Sequence, residues 1–152
     1  MEDKKRKLQE SGLVEWLVFS ELVAMDEDEE GFSESLFATF VEQFDDTVSE
    51  IDENLKEKNL DKLSSLGHYL KGSAAALGLI KISTECERIQ NYGHKDNFDN
   101  FQLEDLSTNH PLGLTEDSDE FWIQLITDAK EKAKEGFQKS KEALNEYFND
   151  DN

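Results

Sequence analysis

The sequence predicts an all-α fold, an antiparallel four-helix bundle with an additional short helix near the N-terminus. Apolar residues recur at alternating spacings of three and four along several long segments, the period of helices that bury one stripe. β-branched alternation is absent, and the single proline is Pro111. Four long helices joined by mostly short connections pack as neighbours of opposite direction, with the short helix lying across one end.

Each element has its own signals. Residues 1–12 read as a tail, and the domain as 13–152. The first helix spans about Leu13 to Met25 and ends in the acidic turn DEDEEG. The second spans about Phe32 to Lys56, with Phe32, Leu36, Phe40, Phe44, Val48, Ile51 and Leu55 on one face. The third begins after Asn59, an N-cap residue type, and stops near Gly78. The fourth runs from about Ile80 to Tyr92, with Gly93 as its stop signal. The fifth covers about Asp119 to Phe148 and buries Trp122, Leu125, Ile126, Ala129, Ala133, Phe137, Leu144 and Phe148. Between the last two, 94–118 is long for a compact domain and acidic, which reads as a mobile surface loop.

Length and charge exclude several function classes. A chain of 152 residues suits one domain that buries most of its apolar surface. The single cysteine, Cys86, leaves no internal disulfide and falls on the stripe Ile82, Cys86, Ile89, where a small buried thiol is expected. No apolar run approaches the roughly 20 residues that cross a bilayer, and no hydrophobic signal region follows MEDKKRK, so an intracellular, soluble protein is expected. A net charge of −20 argues against nucleic acid or an anionic membrane as partner.

The distribution of charge is more informative than its total. Leu8 to Leu55 holds fifteen acidic residues and no lysine or arginine, whereas Lys62 to Lys95 holds five basic residues against Glu85 and Glu87. The second segment is a local positive island, suited to a transient phosphate and to an acidic partner pocket. Lys130, Lys132, Lys134, Lys139 and Lys141 on the last helix read as its solvated face.

Inside the island, LGHYLKGSAAALG (Leu66 to Gly78) places Lys71 three and Gly72 four residues after His68, beside it on a helix surface. The stripe Leu60, Leu63, Gly67, Leu70, Ala74, Leu77 sets the buried face, and His68 lies roughly 130° from its middle at about 100° per residue. An outward imidazole with a free lone pair is a good phosphoryl acceptor. The Lys71 ammonium would offset phosphate charge, and Gly72, which costs a helix roughly 1 kcal/mol against alanine, would leave open space for a partner. The competing reading is an ordinary surface histidine.

LGHYLKGSAAALGL, continued by CERIQNYG at Cys86 to Gly93, resembles the fungal histidine-containing phosphotransfer (HPt) proteins, intermediates of multistep phosphorelays of the yeast osmosensing type. VEWLVFSELVAMDEDEEGFS resembles that family's first helix and acidic turn. The resemblance implies phosphorylation at His68 and a place for Gln90 near the ring from the neighbouring helix. It also implies an apolar docking surface built on Val18 and Leu22, extended by Leu36 and Tyr69, with Ser73 and Ala75 on the same helix as His68. Ser73 could bond a phosphate oxygen or its own helix backbone, the latter being favoured. Leu22 alone would read as core, as would Trp16, and Arg88 as a surface or ion-pair residue. His94 departs from the family, whose members tend to carry arginine just after the equivalent of Gly93, and a histidine there is only partly charged near neutral pH.

No GxxxxGK[ST] loop or kinase-type glycine-rich loop is present, so His68 would receive its phosphoryl group from another protein. The resemblance implies the receiver domain of a hybrid sensor histidine kinase as donor and response-regulator receiver domains as acceptors. No cofactor of its own is expected, Mg²⁺ being supplied by the receiver. Glu-x-x-His is absent before His68, His94 and His110, and so is His-x-x-x-His, so no metal site is expected. The resemblance further implies a monomer in cytoplasm and nucleus. The alternative function is a non-catalytic helical adaptor whose histidine is incidental.

Overall fold

The computed structural model describes residues 2–96 and 118–148. Six α-helices occur among them: α1 Glu2–Glu10, α2 Trp16–Ala24, α3 Phe32–Lys56, α4 Leu60–Ala76, α5 Ile80–Gly93 and α6 Asp119–Phe148. The bounds of α3 and α6 are those the apolar period predicts. The loop expected over 94–118 falls, for 97–117, outside the described residues, and His110 and Pro111 with it.

Helices α3 to α6 form the bundle, and ladders of contacts fix their directions. Between α5 and α6, Tyr92 packs 6.3 Å from Trp122 and Arg88 reaches Asp128 at 3.1 Å. Further along, Gly136 faces Lys81. Rising numbers on one helix thus meet falling numbers on the other. On α3, Asp52 bonds Lys130 at 2.6 Å and Phe44 stacks on Phe137 at 4.0 Å, which makes that pair antiparallel too. Phe40, Phe44, Ile51, Leu63, Leu70, Ile82, Ile89, Leu125 and Ile126 fill the core between them. Phe32, Leu36, Val48, Leu55 and Phe148 are only half-buried at its margin.

The N-terminal region differs from its sequence reading. Residues 2–10 are a helix, not a tail, and Leu8 is buried while Lys7 pairs with Glu146 of α6. A single apolar side chain in a lysine-rich segment gives no helical period, which is why α1 was illegible. Two short helices, rather than one, therefore precede the bundle. α2 starts three residues later than the apolar pattern suggests, because Glu15 caps it, accepting from Leu17 N at 3.3 Å. The acidic turn has a structural use: the Asp26 carboxylate accepts from both Ser33 N and Ser33 Oγ at 2.7 Å, tying down the start of α3.

Two glycine readings also change. Gly78 ends α4 as expected, at φ +75°, but a Cβ there would also lie 2.9 Å from Glu15 O. Glu15 N donates to Gly78 O at 2.6 Å beside an isolated bridge between Val14 and Leu79, so this turn anchors the entry to α2. Gly93 is not a stop signal. It is the last helical residue, buried, and a Cβ would meet Ser64 Cβ at 2.7 Å and Leu60 O at 2.8 Å. Asn59 holds the N-cap position of α4, yet its side chain makes no cap bond and donates to Asn54 instead.

Candidate functional site

The site is a helix pair drawn together by small residues. One turn along the seam from Gly93, Gly67 of α4 leaves no room for a side chain: a Cβ would lie 2.7 Å from Gln90 N, 2.9 Å from Cys86 O and 2.9 Å from Ile89 Cγ2. Ser64 Oγ completes the seam by donating to Gln90 O at 2.8 Å. These contacts set the register of α5 against α4, with Gln90 packed at the level of Ser64 and Gly67. Gly67 was legible only as a member of a buried stripe, and the sequence analysis did not single out Ser64.

His68 itself faces solvent, one position round from the seam. Gly72 is exposed as well, and a Cβ there would meet nothing within 4 Å. The two glycines of α4 thus have opposite surroundings. Lys71 is half-buried on the flank and forms no ion pair among the described residues. Gln90 is half-buried, and its Oε1 is buried with no hydrogen-bond partner among the described residues, so its accepting capacity is unspent. Tyr69 is 47% exposed and Ala75 is exposed. Ser73 is half-buried and its hydroxyl makes no hydrogen bond among the described residues, so the side-chain bond to its own helix backbone favoured for it is not formed.

Electrostatically the positive island is smaller than the sequence implies. Arg88 is buried, its guanidinium held by Tyr92 Oη at 2.9 Å, Glu85 at 2.6 Å and Asp128 at 3.1 Å. Burial works to lower its pKa, but the bonds to Tyr92 and Glu85 outweigh that and hold it above the usual arginine value. Arg88 is therefore an internal ion-pair residue rather than a surface one. Lys95 pairs with Asp119 at 2.9 Å. Lys62, Lys71 and Lys81 remain as the outward cations of that segment. On α6, Lys130 is largely buried and reaches Asp52 at 2.6 Å, while Lys132, still part-exposed, reaches Asp128 at 3.0 Å.

Cys86 is fully buried, and burial first, then the Glu85 charge, push its thiol up to about 12. It is an inert packing residue. His94 is exposed at the end of α5, one turn beyond Gln90 and beside Leu60 and Asp61.

On the docking side, Val18, Leu22 and Leu36 are half-buried, and Leu22 and Leu36 pack against the core. Trp16 is half-buried, its ring 5.8 Å from Phe19. The most exposed apolar side chains nearby are ones the sequence reading passed over, Leu17 at 76% and Met25 at 50%. An outward leucine interrupts the buried period, and that break was the available signal. Among the described residues no helix is long and apolar enough to cross a membrane, and no group of three or more His, Cys, Asp or Glu could hold a metal ion.

A bundle that presents a solvent-facing imidazole with a cation and an open glycine one turn on has the layout of a phosphotransfer module. The model of the Hpt domain family matches residues 35–131, and the chain belongs to that family. It is 54% identical to the phosphorelay intermediate protein YPD1 of Candida albicans, covering 97% of this chain and 98% of that protein. To the protein of the same name from Saccharomyces cerevisiae it is 35% identical, covering 91% and 95%. The S. cerevisiae protein Ypd1, crystallised with the receiver domain of its downstream response regulator Ssk1, has a similar structure: the TM-score is 0.76 at 34% identity, covering 91% of this chain and 95% of that one.

Proposed function

We propose that the protein is a monomeric phosphorelay intermediate that carries a phosphoryl group on His68. The donor is the aspartyl phosphate of a receiver domain on a hybrid sensor histidine kinase, and the acceptor an aspartate of a response-regulator receiver. In the first step an imidazole lone pair forms the P–N bond as the P–O bond to the aspartate breaks, releasing a carboxylate. The second step is the reverse on a different carboxylate. Mg²⁺ belongs with the receiver's carboxylates, where it offsets charge on the transferring oxygens. This chain contributes the imidazole, the Lys71 charge and the surface on which receivers dock.

The observation that carries this reading is the contrast on α4: His68 and Gly72 open to solvent one turn apart, over a helix whose other glycine is packed shut. Without a nucleotide-binding loop in the sequence, the chain is a carrier and not a kinase. Val18, Leu22, Leu36, Tyr69, Ser73 and Ala75 form the docking surface in this reading. Osmotic stress as the stimulus, and distribution between cytoplasm and nucleus, are further parts of this proposal.

The test is incubation with a phosphorylated receiver domain. The wild-type chain should acquire acid-labile, base-stable label, and His68→Gln should acquire none while keeping its helical circular dichroism, because an exposed side chain contributes little to stability. Label retained by His68→Gln would overturn the assignment.

A further inference from the structure

The histidine helix and the first helix of the docking surface meet at Gly78. α4 ends in a Schellman turn, in which Leu79 N donates to Ala74 O at 2.9 Å and Gly78 N to Ala75 O at 3.0 Å, with Gly78 at φ +75°. Those two amides are spent on α4, and the Gly78 carbonyl is left to accept from Glu15 N at 2.6 Å beside the Val14 to Leu79 bridge. Glu15 is the N-cap of α2, so α2 begins at this bond.

The contact is tight as well as hydrogen-bonded. A Cβ on Gly78 would lie 2.9 Å from Glu15 O and 3.4 Å from Val18 Cβ. Glu15 O accepts in turn from Val18 N at 3.1 Å and Phe19 N at 3.0 Å, the opening bonds of α2. A side chain at position 78 would therefore press on the carbonyl from which α2 grows, while the Asp26 to Ser33 bonds hold the chain just beyond α2 to α3. Between His68 and this turn, the exposed residues of α4 from Gly72 onward are Gly72, Ala75 and Ala76, none with a side chain larger than a methyl group. From His68 to Gly78 is about 15 Å along the axis, and a standard interface of about 800 Å² per partner is a disc about 16 Å in radius. One receiver seated on His68 can therefore reach Val18.

We infer that Gly78 is a positioning residue for phosphotransfer: the room it leaves for Glu15 sets where Val18 and Leu22 stand relative to His68. This rests on the proposed function and adds to it the residue that joins the docking helix to the histidine helix. Gly78 touches neither the imidazole nor a group carried on it, so its replacement should weaken receiver docking and spare the chemistry at His68.

The experiment labels the full-length chain at His68 with phosphoramidate, a small donor that loses ammonia as the P–N bond to the imidazole forms and that needs no docking. Transfer from the labelled chain to the Ssk1 receiver domain is then followed over a range of receiver concentrations. Gly78→Ala should label at the wild-type rate and reach the wild-type transfer rate at saturation. Its half-saturating receiver concentration should rise about tenfold, the worth of one buried apolar side chain. Gly78→Asn accommodates a positive φ but carries the same Cβ, so it should behave as Gly78→Ala does. Gly12→Ala takes on the same backbone strain, at φ +74° with nothing within 4 Å, and should match wild type in half-saturation.

Should the variants at position 78 fail to fold, Glu15 gives a second handle on the joint. Its φ of −82° suits proline, and Glu15→Pro removes the N–H that Gly78 O accepts together with the capping carboxylate. Glu15→Ala removes the carboxylate alone. The first should show the rise in half-saturating concentration and the second should not. No rise in Glu15→Pro, a rise shared by Gly12→Ala or Glu15→Ala, or slowed phosphoramidate labelling of a folded variant would each overturn the inference while leaving the carrier reading intact. Failure of the wild-type chain to take label from phosphoramidate, or to pass it to the receiver, would overturn that reading and the inference with it.

Discussion

Gly67 and Gln90 meet backbone to backbone: a Cβ on Gly67 would sit 2.7 Å from Gln90 N, and no side-chain adjustment can relieve contact with a main-chain nitrogen. Gly72, five residues later on the same helix, has nothing within 4 Å. Alanine at the two positions should therefore give opposite results. Gly67→Ala should lose about 1–3 kcal/mol by overpacking the seam, and Gly72→Ala should gain up to about 1 kcal/mol from helix propensity. Thermal and urea melts of the pair decide it, and equal shifts would contradict the packing account. Gly72→Gln separates fold from docking, because its melting temperature should hold or rise while receiver-dependent transfer falls.

Lys71→Ala should slow transfer or shorten the phosphohistidine lifetime without abolishing either, since the ammonium offsets charge and forms no bond to phosphorus. The difference from wild type should shrink at high salt. Time courses of label loss at 0.05 M and 1 M salt measure this, and identical decay at low salt would remove Lys71 from the site.

The Arg88 guanidinium lies between Glu85 and Asp128, with side-chain exposures of 7% for Arg88 and 0% for Asp128. Replacing it by methionine leaves carboxylates inside the α5 and α6 contact, which should cost about 3–5 kcal/mol in urea denaturation. Adding Asp128→Leu should restore part of that loss, because the fully buried carboxylate, left with Lys132 as its cation, is then gone. A double-mutant cycle with no coupling would show that Arg88 and Asp128 do not act as a unit.

Cys86 gives a pH dependence with a defined sign. Its folded pKa, pushed up to about 12, lies above the unfolded value near 9.0, so the unfolded chain releases the thiol proton first. The contribution is fully present below pH 9 and declines as pH rises toward 12. Comparing the denaturation free energies of wild type and Cys86→Ala at pH 8 and pH 10.5 isolates it, and the advantage of wild type should narrow at the higher pH. A constant difference would mean that the thiol is not desolvated.

The helix count of the bundle, the limits of α3 and α6, and the outward aim of His68 were legible because each follows from a local period. Burial of a stripe three and four residues apart fixes which side of its own helix a residue occupies, whatever that helix packs against. The same reasoning placed Lys71 and Gly72 beside His68. It could not say that Gly72 is open and Gly67 closed, since both are glycines on one helix and only the passage of α5 across Gly67 tells them apart. Gly93 illustrates the same limit: a glycine at a helix end has a local explanation in turn geometry, and the actual cause is Ser64 on another helix.

Charge was the least legible property. The sequence counts Arg88 and Lys95 as part of a positive island, yet the fold pairs both with acids of α6, Asp128 and Asp119, forty and twenty-four positions away. Helix α1, whose lysines the sequence presents as a solvated tail, is held by one buried leucine and a pair with Glu146 near the other end of the chain. What this sequence determined by itself was what depends on neighbours within one helical turn: that the segments from α2 to α6 are helical, which face each buries, and that His68, Lys71 and Gly72 share a surface. Which cations stay free, which glycines are filled by a neighbour and where α1 docks depend on pairs of residues far apart in the chain. Those pairs exist only once the helices have packed, so the tertiary structure alone decided them.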